Sequence, residues 1–357
     1  MLNNVRKSVV LTNNGKFVVT EVPLKSPQND EVTVDIMRAG VCSSDIERSF
    51  SNGAYHYPLV MGHELAGKVS STSIDNDTFS VGDRVAVFPL LPCFSCSSCE
   101  HQHYALCKQY SYYGSRQDGG FANQLNVNVW NLIKLPDGVS FDDAALIEPM
   151  AVVLHAIKKL DLSHQQSDKI CIIGAGFLGL LAVMLIRQEF PDLEITLIDR
   201  NPEKLAIGAQ YNVDTIVLRD EDDWTNYLEI AANTFGKVIE FVGAPLTFKA
   251  SINLCEQAGR VVWVGNITGN VDMPKSMVSS ILRKEIILLG SWNSFYKGDV
   301  SCDWQDAIDL MVKGMKPSAL ITNTIALEEI PETLEKLFHH KTRQKVFRTV
   351  KVMVEVN

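Results

Sequence analysis

Residues 93–107 read CFSCSSCEHQHYALC and carry Cys93, Cys96, Cys99 and Cys107 at the spacing C-x2-C-x2-C-x7-C. Four thiolates so close along a chain suit a tetrahedral zinc ion. With all four positions filled by protein, such a site is closed and structural. Disulfide pairs and a partner-binding zinc lobe are the competing readings, and the spacing favours metal. A second set of donors is dispersed: Cys42 in GVCSSDIE (40–47), His63 and Glu64 in GHELAG (62–67), and Glu148 in LIEPMAV (146–152). A cysteine, a histidine and a glutamate could form an open site of mixed sulfur, nitrogen and oxygen donors, with a position left for water or substrate. Each alone is weak, since a single histidine is commonly a hydrogen-bonded core residue and a single cysteine a small buried hydrophobe.

The third feature is GAGFLG (174–179), with Gly174, Gly176 and Gly179 around Phe177 and Leu178. It follows the strand-like KICII and opens a helix-like run, the context a dinucleotide-binding loop requires. The glycines permit a tight turn, and the helix N-terminus can then face a pyrophosphate. Asp199 ends the next apolar run, twenty residues beyond Gly179. A carboxylate there can hydrogen-bond a ribose diol and repel a 2′-phosphate, which favours NAD over NADP. The adjacent Arg200 pulls the other way, because a basic residue at that place can serve NADP.

These residues need elements to hold them. VTVDIMRAGV (32–41) and VGDRVAVFPLL (81–91) read as short strands bounded by turn residues, so the first part of the chain is β-rich. From MAVVLHAIKKL (150–160) the pattern changes to helical spacing, and the apolar runs at 194–200, 237–243, 259–265 and 285–292 are separated by helical segments. Strands alternating with helices predict a parallel doubly wound sheet. The tail mixes a helix with a closing strand, VFRTVKVMVEV (346–356).

The chain has 357 residues, enough for two domains. A net charge of −9 disfavours a nucleic-acid partner. No run of about eighteen apolar residues occurs, so no membrane span is expected. The first residues, MLNNVRKSVVLTNNGKF, lack an export signal, and the expected compartment is the cytoplasm, where clustered thiols stay reduced.

Taken in order, Cys42, the GHE motif, the four-cysteine lobe, the EP pair at 148–149 and the glycine loop resemble the zinc-dependent medium-chain dehydrogenase/reductase superfamily over nearly the whole chain. YHYPLVMGHELAG (55–67), PLLPCFSCSSC (89–99), GSRQDGGFA (114–122), IEPMAVVLHA (147–156) and ILRKEIILLGSW (281–292) carry the resemblance to its polyol and threonine dehydrogenase branch. The resemblance implies an α/β chain. A GroES-like catalytic domain would span 1–153 and 292–357, with the zinc lobe at about 89–110, and a Rossmann domain would span 154–291.

It also implies two zinc ions per chain. Cys42, His63 and Glu148 match the catalytic-zinc ligands, with Glu64 as a ligand or exchanging partner. Ser44 matches the hydroxyl that relays the substrate proton, and Asp45 the carboxylate that orients the histidine. The implied reaction is NAD-linked oxidation of a secondary alcohol on a polyol or polyol phosphate by a homodimer or homotetramer. Galactitol 1-phosphate comes first among the substrates, with sorbitol, ribitol phosphate and L-threonine as alternatives and a non-catalytic protein on the same fold as the other class.

Two positions depart from the branch. Glu47 stands where a proton-relaying histidine is usual, and Ser73 where a turn glycine is frequent. A phosphate would need cationic donors, for which Arg116 and Lys297 are candidates and Arg283 and Lys284 weaker ones.

Overall fold

The structure is a computed structural model that describes residues 5–51, 53–72, 78–162, 169–298, 302–342 and 348–357. Ser73 lies outside the described residues. The strands, in chain order, are β1 (Val5–Asn13), β2 (Lys16–Pro23), β3 (Glu31–Val41), β4 (Leu59–Val60), β5 (Glu64–Thr72), β6 (Arg84–Val87), β7 (Leu90–Leu91), β8 (Ser111–Tyr112), β9 (Gln124–Asn128) and β10 (Leu132–Lys134). They continue with β11 (Lys169–Ile173), β12 (Glu194–Asp199), β13 (Asp214–Val217), β14 (Phe235–Glu240), β15 (Cys255–Trp263), β16 (Ile287–Gly290), β17 (Ile321–Ala326) and β18 (Lys351–Glu355). Two compact units form. One takes the residues up to Ala151 together with Phe295–Lys345 and Lys351–Asn357; the other takes Val152–Ser294.

In the first unit a seven-stranded sheet runs β10-β6-β5-β3-β18-β17, with β9 also on β3. β3 organises it. Its first half pairs with β9, its second half with β18, and its other edge with β5, all antiparallel. Val32, Val34 and Ile36 alternate along β3 and are buried with Leu65, Val85, Phe121 and Val354 in one core. Their β-branched side chains suit a pleated surface covered on that face. Smaller sheets, β2-β1-β4 and β7-β8, complete the strands of the unit. The tail carries more than the expected helix and strand. It has helices Asp303–Val312 and Ile330–Thr342, and β17 pairs parallel to β18 while β18 returns to β3.

The second unit is a six-stranded parallel sheet in the order β13-β12-β11-β14-β15-β16. β11 and β14 are buried nearly throughout, as strands with both faces covered must be. The winding reverses between β11 and β14, which makes their C-terminal ends the switch point at which open α/β sheets bind ligands. This is the doubly wound arrangement expected from the alternating pattern. No helix among the described residues is long and apolar enough to cross a membrane.

Asn131 ties the first unit's core to the root of the cysteine segment. Its buried Nδ2 donates to the carbonyls of Phe88 (2.7 Å) and Leu90 (2.8 Å), between β6 and β7. Asn131→Ala leaves both carbonyls unpaired and is expected to cost about 1–3 kcal/mol for each. The urea midpoint of the zinc-loaded protein should fall accordingly; an unchanged midpoint refutes the role.

Candidate active site

Cys42 follows β3 directly and caps the helix Ser43–Phe50, while His63 and Glu64 stand at the start of β5. β3 and β5 are paired so that Gly40 lies opposite Glu64. This register brings one donor atom each from Cys42, His63 and Glu64 to within 4.8 Å of one another. Glu148, in the first turn of the helix Ile147–Leu160, is not a member of that mutual set. Its Oε1 accepts a hydrogen bond from the Tyr112 hydroxyl at 3.0 Å, and the Tyr112 ring meets the His63 ring edge-on with centroids 5.8 Å apart.

Asp45 stands behind His63, fully buried, with Oδ1 3.4 Å from His63 Nδ1. Its Oδ2 accepts the Cys42 N–H at 3.0 Å, so one carboxylate fixes both neighbours. The ring nitrogen left for a metal is then Nε2. Behind Glu64 lies Lys351, which donates to the Val41 carbonyl at 3.0 Å and pairs with Glu64 Oε2. Neither Lys351 nor Tyr112 was singled out from the sequence. The one signal for Lys351 is a basic residue inside the apolar closing strand. Ser44 is half-buried in the first turn after Cys42.

Burial opposes charge throughout this cluster. It acts against ionised Asp45, but His63, Arg48 and the Cys42 N–H outweigh it and hold that carboxyl below its ordinary value. Burial likewise acts against protonated His63, yet Asp45 and Cys42 hold its proton well above the usual range. Burial pushes the Glu148 carboxyl up to about 7, with the charge of Glu64 adding to the effect and His63, Tyr112 and Lys351 opposing it. A metal entering here must displace the proton of His63.

The donor chemistry fits zinc, with one sulfur, one imidazole and one carboxylate converging and a second carboxylate beside them. His63 Nδ1 and Asp45 Oδ1 face each other and Glu64 Oε2 faces Lys351, so the donors left toward a metal are Cys42 Sγ, His63 Nε2 and a Glu64 oxygen.

The four cysteines are free thiols grouped around one point. Their sulfurs are spaced 3.9 Å (Cys93 to Cys99), 3.6 Å (Cys96 to Cys99) and 3.9 Å (Cys96 to Cys107). Sulfurs bound about 2.3 Å from one tetrahedral zinc would be roughly 3.8 Å apart, so the cluster fits the ion. The segment rests on aromatic rings: Phe94 and Tyr104 both meet Trp130, at 5.0 and 5.3 Å between centroids.

In the second unit the glycine loop leaves β11. Gly174 has φ +106°, a conformation that L side chains avoid. A Cβ on Gly179 would lie 1.8 Å from the Gly174 carbonyl oxygen, whereas one on Gly176 would meet open space. The turn is therefore closed behind and open in front, at the N-terminus of the helix Phe177–Glu189 that begins with Phe177 and Leu178. This fits a dinucleotide pyrophosphate. Asp199 ends β12, and its two oxygens accept the N–H groups of Ala175 (2.6 Å) and Asn201 (2.8 Å). It thus braces the loop, and its remaining lone pairs are what a ribose could use. Arg200 beside it is exposed.

The suggested phosphate donors separate. Arg283 and Lys284 lie in the second unit, on the helix Lys275–Lys284. The Lys284 ammonium donates to the Cys255 carbonyl at 2.8 Å. Arg116 and Lys297 belong to the unit that holds the metal donors.

Residues 28–137 match the alcohol dehydrogenase GroES-like domain, and residues 178–313 match the zinc-binding dehydrogenase family. The chain is 32% identical to galactitol 1-phosphate 5-dehydrogenase of Escherichia coli K12, over 86% of this chain and 89% of that one. It is 29% identical to D-arabitol-phosphate dehydrogenase of Enterococcus avium, over 96% and 94%. The crystal structure of galactitol-1-phosphate dehydrogenase from Escherichia coli superposes with a TM-score of 0.84 at 30% identity, covering 98% of this chain and 99% of that one. The chain belongs to the zinc-dependent medium-chain dehydrogenase family, a GroES-like domain joined to a Rossmann-type sheet. It is an oxidoreductase of that family, whose cofactors are zinc and a nicotinamide dinucleotide.

Two outcomes follow for the candidate metal donors and the cation behind them. Cys99→Ser is expected to lower zinc from two ions per chain to one and to weaken folding or assembly. Metal analysis with sedimentation reads both, and a fully loaded, normally assembled variant refutes the structural role. Lys351→Met leaves Glu64 buried without its cation, a change expected to cost about 3–5 kcal/mol. Denaturant unfolding of the metal-free protein measures it, and zinc should restore part of the loss.

Proposed function

We propose that the chain is a zinc-dependent, NAD-linked dehydrogenase of a polyol phosphate. It would oxidise a secondary hydroxyl of galactitol 1-phosphate to the keto sugar phosphate. The observation that carries this reading is the convergence of Cys42, His63 and Glu64, backed by Asp45, in a chain 32% identical to galactitol 1-phosphate 5-dehydrogenase. A non-catalytic protein on this fold has no need of such a mixed and open donor set. Sorbitol, ribitol 5-phosphate and L-threonine remain the alternative substrates, because the metal donors do not distinguish among them.

Zinc held by Cys42, His63 and one of the two glutamates would supply Lewis acidity toward the hydroxyl, and NAD on the glycine loop would accept the hydride from its carbon. The chain's own residues do the rest. Ser44 takes the hydroxyl proton and passes it on, with no histidine at position 47 to receive it. Asp45 fixes the tautomer and plane of His63. Glu64 and Glu148 each have a donor that restrains them, Lys351 for the first and Tyr112 for the second. Each contact engages one carboxylate oxygen and leaves the other for a metal.

Asp199 supports NAD over NADP by its charge. The cytoplasm is the compartment that keeps the cysteines reduced. A homodimer or homotetramer is supported by the edge strand β16, whose Ile287 is exposed beside Leu282 and Trp292. The test is a rate comparison, with zinc present, of galactitol 1-phosphate, galactitol, sorbitol, ribitol 5-phosphate and L-threonine, each with NAD and with NADP. Preference for galactitol 1-phosphate with NAD is the expected result. Preference for an unphosphorylated polyol or for threonine keeps the chemistry and refutes the phosphate.

A further inference from the structure

We propose that Arg116 recognises the anionic group of the substrate, binding a phosphate ester through a guanidinium that rests against Tyr55 and Tyr110. The inference rests on the polyol-phosphate reading above and assigns the residue that would select for it.

The other described arginines of the first unit are committed to structure. Arg6 pairs with Asp118, Arg38 with Asp142 and Glu355, and Arg48 with Asp45, while Arg84 donates to the carbonyls of Pro136 and Val139. Among the described residues Arg116 has no carboxylate or carbonyl partner. Its Cζ lies over the rings of Tyr55 (4.5 Å) and Tyr110 (4.4 Å), and its one hydrogen bond is from Nη2 to the Tyr55 hydroxyl at 3.4 Å. Ring contacts of this kind take up none of the guanidinium's N–H groups, and only Nη2 is engaged, weakly, by a hydroxyl. That planar fork matches two oxygens of a phosphate.

Its position suits a substrate with its anion at one end and its reacting carbon at the other. From Arg116, Tyr110 leads to Tyr112 (ring centroids 6.3 Å apart), and Tyr112 touches both Glu148 and His63. One cation–ring contact and two ring–ring contacts thus connect the guanidinium to His63. The backbone under Arg116 is held firmly. The N–H groups of Ser115, Arg116 and Gln117 all point to the Tyr112 carbonyl, and Gly120 donates to the Gly62 carbonyl at 3.0 Å. Cβ atoms on Gly114 or Gly119 would lie 2.5 or 2.1 Å from that same Gly62 oxygen, so the turn closes on the residue before His63. A cation kept without a partner, on a rigid turn beside a metal site, is suited to a ligand.

The test compares wild type with Arg116→Gln and Arg116→Lys, each zinc-loaded and checked for equal metal content and melting temperature. The first readout is the ratio of kcat/KM for galactitol 1-phosphate to that for galactitol. It should fall about 10- to 100-fold in Arg116→Gln, the worth of hydrogen bonds to a charged group, and recover in part in Arg116→Lys. The second, independent of turnover, is titration calorimetry with inorganic phosphate on the NAD-loaded protein. Binding should weaken at least tenfold in Arg116→Gln. If wild type shows no preference for galactitol 1-phosphate, the polyol-phosphate reading falls and Arg116 is judged by the calorimetry alone. Phosphate binding that is equal in wild type and Arg116→Gln, or absent from wild type, overturns the proposal.

Discussion

The register of β3 against β5 and β18 holds the candidate metal site together. Gly40 stands opposite Glu64, and Val41 opposite Val352. Cys42 follows the end of β3, His63 precedes β5 and Lys351 opens β18, so the paired strands set where all three stand, and the bonds of Gly120 and Phe121 to Gly62 and Met61 hold the approach to His63. Side chains alternate along a strand with a period of two, and a slip of one residue would turn Glu64 away from Cys42. The placement of Glu64 also depends on a glycine. A Cβ at position 40 would lie 1.9 Å from Glu64 Oε2, so a side chain there would push the Glu64 carboxylate off its present position beside Lys351.

This site concentrates buried charge. Asp45, His63, Glu64, Glu148 and Lys351 are all buried within one unit. Burying charge is unfavourable unless each group finds a partner, and here the pairing is incomplete. Asp45 faces His63, and Lys351 answers Glu64. Glu148 accepts from the neutral hydroxyl of Tyr112, and burial, only partly offset by His63 and Lys351, holds its proton up to about 7. A dication among these carboxylates supplies the charge that the protein withholds. Stability in this part of the chain and metal binding are therefore the same electrostatic quantity, and the fold bears an unfavourable cluster that function uses.

Much of this was readable from residue types. Four cysteines in a short stretch have few uses in a reduced compartment, and a glycine loop between an apolar strand and a helix has its own sequence context. What escaped were contacts made across long sequence distances. Lys351 reads as one polar position in a closing strand, yet its partner lies 287 residues away, as the numbering of the Glu64 pair shows. Tyr112 lies in an unremarkable YSYYG stretch until Glu148 is seen against it. Asp199 was expected to face a ribose; its oxygens first brace the backbone of Ala175 and Asn201, local geometry that spacing cannot encode. The tail was read as one helix because its polar stretches hide the second.

Substrate choice follows a different logic from catalysis. The candidate metal donors are held near paired strands and, in the proposed reaction, would serve any secondary alcohol that reaches them, so they would not carry selectivity. Residues that select must lie outside that register, near it, and free of structural duty. A cation locked in an ion pair cannot meet a ligand without first losing the pair. By that criterion the described arginines of the first unit divide: those bound to carboxylates or carbonyls hold the fold, and Arg116 rests on tyrosines alone. Stacking on aromatic rings stabilises a cation weakly at an exposed position, by about 0.5–1 kcal/mol, enough to orient it and too little to compete with a phosphate. A guanidinium held in that way keeps its geometry while giving up almost nothing when an anion arrives.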